Sequence, residues 1–256
     1  MPEQTQRFLA LEWDLPEGVE AFSTTRIDGE SPIPFDSFNI ATHVGDKPEL
    51  VSDNRRKLPL HQNIVWLNQT HGIDCVEIDS GTLPAIPKAD ASYTHESQTV
   101  CAVMTADCVP LLICDTHATV VAAVHAGWRG LAAGVIEKAI SQLNQKNSEL
   151  MVWIGPAISQ SCFEVSGNVV SAFKNFPNAI KTAEQPNKYL IDLKAISADK
   201  CRALGIRNIT ISPYCSFTDQ QQFFSHRRAM QQGLSSTGRM LSAIYLTKPN
   251  SRFRQP

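Results

Sequence analysis

Three side chains able to hold a metal ion, His71, Cys108 and His125, stand beside small residues at the ends of strand-like stretches in this 256-residue chain. Cys108 opens the apolar run 109–114 and His125 closes the run 120–124, with the turn-like Asp115-Thr116-His117 between them. Both runs are short and rich in β-branched residues, so they read as buried, adjacent strands. An antiparallel pairing would bring their far ends together and set Cys108 beside His125. His71 follows a third strand-like stretch, 64–67, within Asn68-Gln69-Thr70-His71-Gly72. A thiolate with two imidazoles suits zinc, and three protein ligands leave a fourth position open to water or substrate. A zinc that merely stapled the fold would normally take four protein ligands.

Taken singly, each residue has a plainer explanation. A free Cys is most often a small apolar filler, and a His beside Gly a hydrogen-bonded turn residue. The neighbours argue for chemistry. Asp107 before Cys108, and Ala126-Gly127-Trp128-Arg129-Gly130 after His125, put charge, aromatic surface and flexible backbone beside the ligands, which a structural strand end does not need.

The elements that would position these groups follow from periodicity and turn chemistry. Apolar residues at 131, 135, 136, 139, 140 and 143 repeat at helical spacing, predicting a helix over 129–145. Its start, directly after His125, would offer backbone N–H groups and positive potential to an anion beside the metal, with Arg129 there either for oxyanion binding or capping the helix or packed against Trp128. A second helix is expected over 48–60, with Asn54, Arg55, Arg56 and Lys57 on a solvated face. Two more are expected over 169–176 and 193–204, the latter capped by Asp192. Strands are expected at 75–79, 91–94, 100–105, 149–154, 209–212 and 240–246, and a strand pair within 8–25 around Pro16-Glu17-Gly18. Residues 28–34 are a loop of turn formers between Arg26 and Asn39. With strands outnumbering helices and short turns between many of them, a mixed or antiparallel sheet covered by helices is expected, in one domain over 1–256.

Composition limits the function classes. The 43% hydrophobic content supports a sizeable core, and the net charge of −2 lacks the basic footprint of a nucleic-acid binder. Seven scattered cysteines without a CxxC pair fit reduced thiols. With neither a signal-like N-terminus nor an unbroken apolar span, a cytoplasmic protein off the membrane is expected, and a monomer.

Asn68-Gln69-Thr70-His71-Gly72, Ala106-Asp107-Cys108-Val109-Pro110, His125-Ala126-Gly127-Trp128-Arg129-Gly130 and Ile154-Gly155-Pro156-Ala157 closely resemble the signature blocks of the laccase-domain family. That family is also called the YfiH-like, purine nucleoside phosphorylase or peptidoglycan editing factor family. The resemblance covers nearly the whole chain, from Phe22-Ser23-Thr24-Thr25-Arg26 through 38–46 to Phe224-Ser225-His226-Arg227-Arg228 and Thr237-Gly238-Arg239. It implies an α/β fold of the α+β type, layered α/β/β/α with mixed sheets and similar to the catalytic domain of cytotoxic necrotizing factor. It implies zinc on His71, Cys108 and His125, and places Arg26 and Asn39 near the active site, with Asp107 and Arg129 as further substrate contacts. The chain departs from the family pattern at Ala41 and Ser159, where relatives often carry Gly, and at His226, where they often carry Tyr.

The activities implied by this resemblance differ in kind. One is phosphorolysis of purine nucleosides (adenosine, inosine, methylthioadenosine), with adenosine deamination as a side activity; Arg129, Arg26 and the helix start would hold phosphate, and zinc would polarise substrate or water. The alternative is amide hydrolysis by Cys108 with His125, removing misincorporated L-serine from a UDP-MurNAc precursor of the cell wall. A copper polyphenol oxidase is the least favoured: a four-copper site needs many imidazoles, and the seven histidines form no H-x-H or H-C-H cluster. Copper would then serve only an oxidase side activity. The H-x-E and P-C-x-x-C motifs of zinc nucleobase deaminases, the phosphate loop and the G-x-S-x-G elbow do not occur.

Overall fold

Continuous apolar runs, rather than alternating ones, mark strands covered on both faces, and the strands here are covered in that way. The computed structural model describes residues 6–82 and 84–247, so the outer ends of the expected 1–256 domain and Leu83 lie outside the described residues. The chain begins with β1 (Phe8–Leu9), β2 (Val19–Thr24), α1 (Pro48–Arg56), β3 (Ile64–Val65), β4 (Cys75–Glu77), β5 (Ala91–Thr94) and β6 (Val100–Thr105). The hairpin β7 (Val109–Asp115) and β8 (Val121–Ala126) follows, then α2 (Trp128–Ala133), α3 (Val135–Gln142) and β9 (Leu150–Ile154). Next come β10 (Glu164–Ser166), α4 (Gly167–Ala172), β11 (Ile180–Thr182), β12 (Lys188–Ile191) and α5 (Leu193–Ala203). The last elements are β13 (Asn208–Ile211), α6 (His226–Gln231) and β14 (Met240–Leu246).

Three sheets form. Five strands run in the order β1-β2-β14-β6-β3, six in the order β13-β9-β7-β8-β5-β4, and β10-β12-β11 make a small antiparallel sheet. Both large sheets are mixed, because β3 lies parallel to β6, β4 to β5 and β13 to β9. Successive side chains alternate across a strand, and the packing follows that alternation. Cys101, Val103, Ile244 and Leu246 of one sheet meet Leu112, Cys114, Val121, Ala123 and Trp153 of the other between the layers. The opposite residues, Leu111, Ile113, Ala122, Val124 and Val152, pack under α2, α3 and α5. On the far side, Ala102, Met104, Leu241 and Ala243 lie under the Phe35–Val44 segment. This is the α/β layering expected, with two mixed sheets as its inner layers.

Three expectations about helices need correction. The helix over 129–145 is two helices. Gly134 has φ +101° and its N–H bonds to Gly130 O at 2.9 Å, closing α2 after six residues before α3 restarts. The apolar repeat runs on through the break, because α3 still buries Val135, Ile136, Ala139 and Ile140. Helix α1 stops at Arg56, and its face is not solvated throughout: Asn54 is fully buried and donates from Nδ2 to Ser31 Oγ, Ser37 O and Asn39 O. It thereby ties α1 to the segment covering the five-stranded sheet. The helix over 169–176 is instead α4, starting at Gly167 and ending at Ala172. The Asp192 cap holds, its carboxylate accepting from Ala195 N at 2.9 Å.

Candidate metal centre

The β7–β8 hairpin is antiparallel, with Val109 opposite Ala126 and Pro110 opposite His125, so the ends carrying Cys108 and His125 meet. His125 alternates with Val124 and Ala126 and shares the face of Val121 and Ala123, the one turned toward the other sheet. The third group arrives on the loop after β3. Gln69 pins this loop to the end of β6, its side-chain amide exchanging hydrogen bonds with Met104 N and O, both at 2.8 Å. His71 then takes a left-handed backbone, φ +60°, and Asp107 does the same at φ +88° just before Cys108. Non-glycine residues in this region are uncommon and cluster where surrounding structure holds them for a purpose.

Asp90 supplies that structure for His71. Its carboxylate is fully buried and accepts from the backbone N–H of Thr70, His71 and Gly72 at 3.1, 2.9 and 2.7 Å. The same carboxylate accepts from His125 Nδ1 at 2.8 Å. One acid therefore orients the His125 ring and holds the backbone that carries His71, and its hold on His125 Nδ1 leaves Nε2 of that ring for a metal. Burial alone would raise the Asp90 pKa, yet the hydrogen bonds from His125, Gly72 and Thr70 and the His125 charge bring it to about 2. Burial likewise pushes the Cys108 thiol up, but the His125 charge and hydrogen bonds from His125 and His71 lower it to about 6. Burial opposes protonation of His125, whereas Cys108 and Asp90 raise its pKa to about 9.

The ligand atoms of His71, Cys108 and His125 all lie within 4.8 Å of one another, with His71 Nε2 3.8 Å from Cys108 Sγ. Tetrahedral zinc, with bonds of about 2.3 Å to sulfur and about 2.0 Å to nitrogen, puts those donors about 3.5 Å apart. The donor set and spacing therefore fit one zinc ion, drawn in by small side-chain movements. Among the described residues this is the one cluster of three or more metal-capable side chains. Gly127 makes room for it, since a Cβ there would lie 2.6 Å from His71 Cδ2 and 3.2 Å from Cys108 Sγ.

The three groups line a cavity of about 230 Å³ together with Gln69, His43, His226 and Arg239. The remaining site residues expected from sequence do not line it. Arg129 is exposed and stacks on its neighbour Trp128, its guanidinium carbon 4.5 Å from the ring centroid. Of the two arrangements expected for Arg129, oxyanion binding at a helix start or stacking on Trp128, the structure holds the stacked one, on a helix α2 of only six residues. Arg26 is committed to Asp36 at 2.8 Å and to the Phe224 face at 4.8 Å. Asn39 is buried, its Oδ1 accepting from Ala41 N and Arg239 N at 3.0 Å. Asp107 accepts from Ser216 Oγ at 2.7 Å and from Arg227 N, in the first turn of α6, at 2.6 Å. Asn39 thereby holds the backbone of Arg239, and Asp107 anchors the chain just before Cys108; Arg239 and Cys108 both line the cavity.

Asp90, Gln69, His43, His226 and Arg239 join the site only in the fold. Asp90 has one local signal, an acid at the start of the expected strand 91–94, and Gln69 lies inside the His71 motif.

A family model described as multi-copper polyphenol oxidoreductase laccase matches residues 20–247. The purine nucleoside phosphorylase YfiH of Shigella flexneri is 42% identical over 246 residues, covering 94% of this chain and 99% of that protein. The purine nucleoside phosphorylase PA4543 of Pseudomonas aeruginosa is 40% identical over 245 residues, covering 93% and 98%. Among solved structures, Neisseria meningitidis protein NMB0706 matches with a TM-score of 0.87 at 37% identity, covering 95% of this chain and 100% of that one. YlmD from Geobacillus stearothermophilus matches with a TM-score of 0.87 at 31% identity, covering 96% and 98%. By sequence along nearly its whole length and by fold, the chain belongs to the multi-copper polyphenol oxidoreductase laccase family, whose members here include the YfiH proteins.

Proposed function

We propose that this protein is a zinc-dependent purine nucleoside phosphorylase acting on adenosine, inosine and methylthioadenosine, with adenosine deamination as a side activity. The observation that carries the reading is the three-ligand cluster of His71, Cys108 and His125 in the lining of one cavity with His43, His226 and Arg239. At about 230 Å³ the cavity lies below the usual range of roughly 300–1,000 Å³ for ligand pockets, which favours a small substrate. The names of the relatives agree with it. A single cluster argues for one metal ion rather than a multi-copper set, leaving copper for an oxidase side activity.

Zinc held by the three side chains would supply Lewis acidity and positive charge at an open position. The chain's own part is to fix the reactants. Asp90 keeps His125 in one tautomer and holds the His71 loop in place. A phosphate oxygen attacks C1′ of the nucleoside, and the C1′–N9 bond breaks with its electron pair passing to the purine. The proton carried by hydrogen phosphate ends on the departing base, so atoms and charge balance. In this reading residues 1–256 form one domain, working as a monomer in the cytoplasm on small molecules rather than on nucleic acid or membrane.

A second reading has its own observation. Cys108, His125 and Asp90 stand in line as a thiol, an imidazole and an orienting carboxylate, the order used by cysteine hydrolases. That arrangement would suit amide hydrolysis of a cell-wall precursor, although a metal-bound thiolate is a poor nucleophile. The two separate on phosphate: inosine cleavage by zinc-loaded protein should rise with phosphate and stop on chelation. Zinc-loaded protein that releases no hypoxanthine from inosine and phosphate, yet cleaves amide substrates in phosphate-free buffer, would decide for the amidase.

A further inference from the structure

The geometry points to Arg239, flanked by His43 and His226, as the subsite for the phosphate oxyanion, an assignment that rests on the phosphorolysis reading for the identity of its ligand. The arginines of this protein are mostly spent. Arg26 is paired with Asp36 and lies over Phe224, Arg129 stacks on Trp128, and Arg227 lies over Phe163. Arg228 donates through Nη1 to the Ser216 and Phe217 carbonyls at 2.8 and 2.7 Å. Arg239 differs. Among the described residues it forms no ion pair and stacks on no aromatic ring, yet it is largely withdrawn from solvent and lines the cavity. A guanidinium stays protonated at any ordinary pH, and the charges of Cys108 and Asp107 reach this one without closing an ion pair. An anion in the cavity would pair with it directly.

The guanidinium is also held still. Arg239 N donates to Asn39 Oδ1 at 3.0 Å, and Nη1 donates to Thr237 O and Gly238 O at 2.7 and 3.0 Å. Gly238 is packed so closely that a Cβ would lie 2.5 Å from the Phe224 ring. A planar donor group fixed in this way matches the bidentate demand of a phosphate. The Arg239 charge reaches both flanking imidazoles. Partial withdrawal from solvent first, then Arg239, lowers the pKa of His43 and of His226. Both rings can serve as hydrogen-bonding groups around one fixed charge.

The test is calorimetric titration of inorganic phosphate into zinc-loaded protein with no nucleoside present, so that binding is read apart from turnover. Arg239→Gln should weaken phosphate binding about 30-fold and Arg239→Lys about tenfold, because a point charge keeps the attraction but loses the fork. His43 and His226 are exposed, so His43→Gln and His226→Gln should fold as the parent does and weaken binding about threefold each. Phosphate affinity unchanged in Arg239→Gln and in both histidine variants would overturn the assignment, as would a loss confined to Arg129→Gln. Failure of the phosphorylase reading gives a different pattern, with phosphate bound through Arg239 but no ribose 1-phosphate formed from inosine.

Discussion

The two ends of the β7–β8 hairpin are built on similar parts and do different things. At the turn, Asp115 is fully buried and accepts from Thr119 N, Thr119 Oγ1 and Val120 N at 2.7, 2.8 and 3.0 Å. At the open end, Asp90 is equally buried and also collects N–H donors. Both acids have a lowered pKa against the opposing effect of burial. The difference lies in where the donors come from. Those on Asp115 belong to the adjacent turn, so that acid only closes a hairpin. Those on Asp90 come from a separate loop and from an imidazole whose other nitrogen is still free. A buried, low-pKa carboxylate is therefore no sign of a site in itself; it marks one when its partner keeps a ligand atom unspent.

Four experiments test that contrast. The largest effect is expected from Cys108→Ala, which removes one of three ligands and should leave no zinc after dialysis, by metal analysis. Full zinc content in that variant would remove the metal centre. Asp90→Asn should weaken zinc about 10–100-fold through loss of the orienting bond to His125, and should lower stability by about 2–3 kcal/mol. Asp115→Asn should cost about 1–2 kcal/mol and leave zinc affinity as it was. Equal effects of the two substitutions on zinc would erase the distinction between the two ends.

The third experiment follows stability against pH in the metal-free protein. Asp90 and Asp115 have folded pKa values below an unfolded value of about 3.9. Their stabilisation is complete above that value and is lost as pH falls, through about 2 for Asp90. His125 works in the opposite sense: its contribution is full below an unfolded pKa of about 6.5 and fades as pH rises through about 9. Urea denaturation from pH 2 to 10 should show both losses; Asp90→Asn should reduce the acid-side loss, leaving the part due to Asp115, and Cys108→Ala should reduce the alkaline loss more than Asp90→Asn does. The smallest effect is Gly134→Ala, which forces a Cβ onto a backbone at φ +101°. It should cost about 1 kcal/mol with zinc binding unchanged; destabilisation below the error of a thermal melt would contradict the αL break between α2 and α3.

Much of the frame was legible because local patterns fixed it. The β-branched runs of β7 and β8, the turn between them and the Asp192 cap all depend on neighbours in sequence. The same signal placed Cys108 and His125 at one end, and the motif around His71 supplied the third group. What escaped depends on long-range packing. The apolar repeat runs unbroken across Gly134, so periodicity cannot register a change of backbone hand there. Asn54 reads as one polar residue in a charged helix until the Phe35–Val44 segment folds over it and buries its amide. Arg239 gives no local sign of facing Cys108, since Asn39, 200 residues earlier, positions its backbone. Of Arg26, Arg129 and Arg239, only Arg239, at the far end of the chain, lines the cavity.

The central claim is that a zinc centre on His71, Cys108 and His125 supports attack by phosphate on a nucleoside. Phosphorus NMR of zinc-loaded protein with inosine and inorganic phosphate tests it most directly. The account predicts that the phosphate signal falls as a ribose 1-phosphate signal rises, one for each hypoxanthine released, and that neither changes after chelation. Hypoxanthine appearing with free ribose while phosphate stays constant, or equal turnover in the chelated protein, would contradict it.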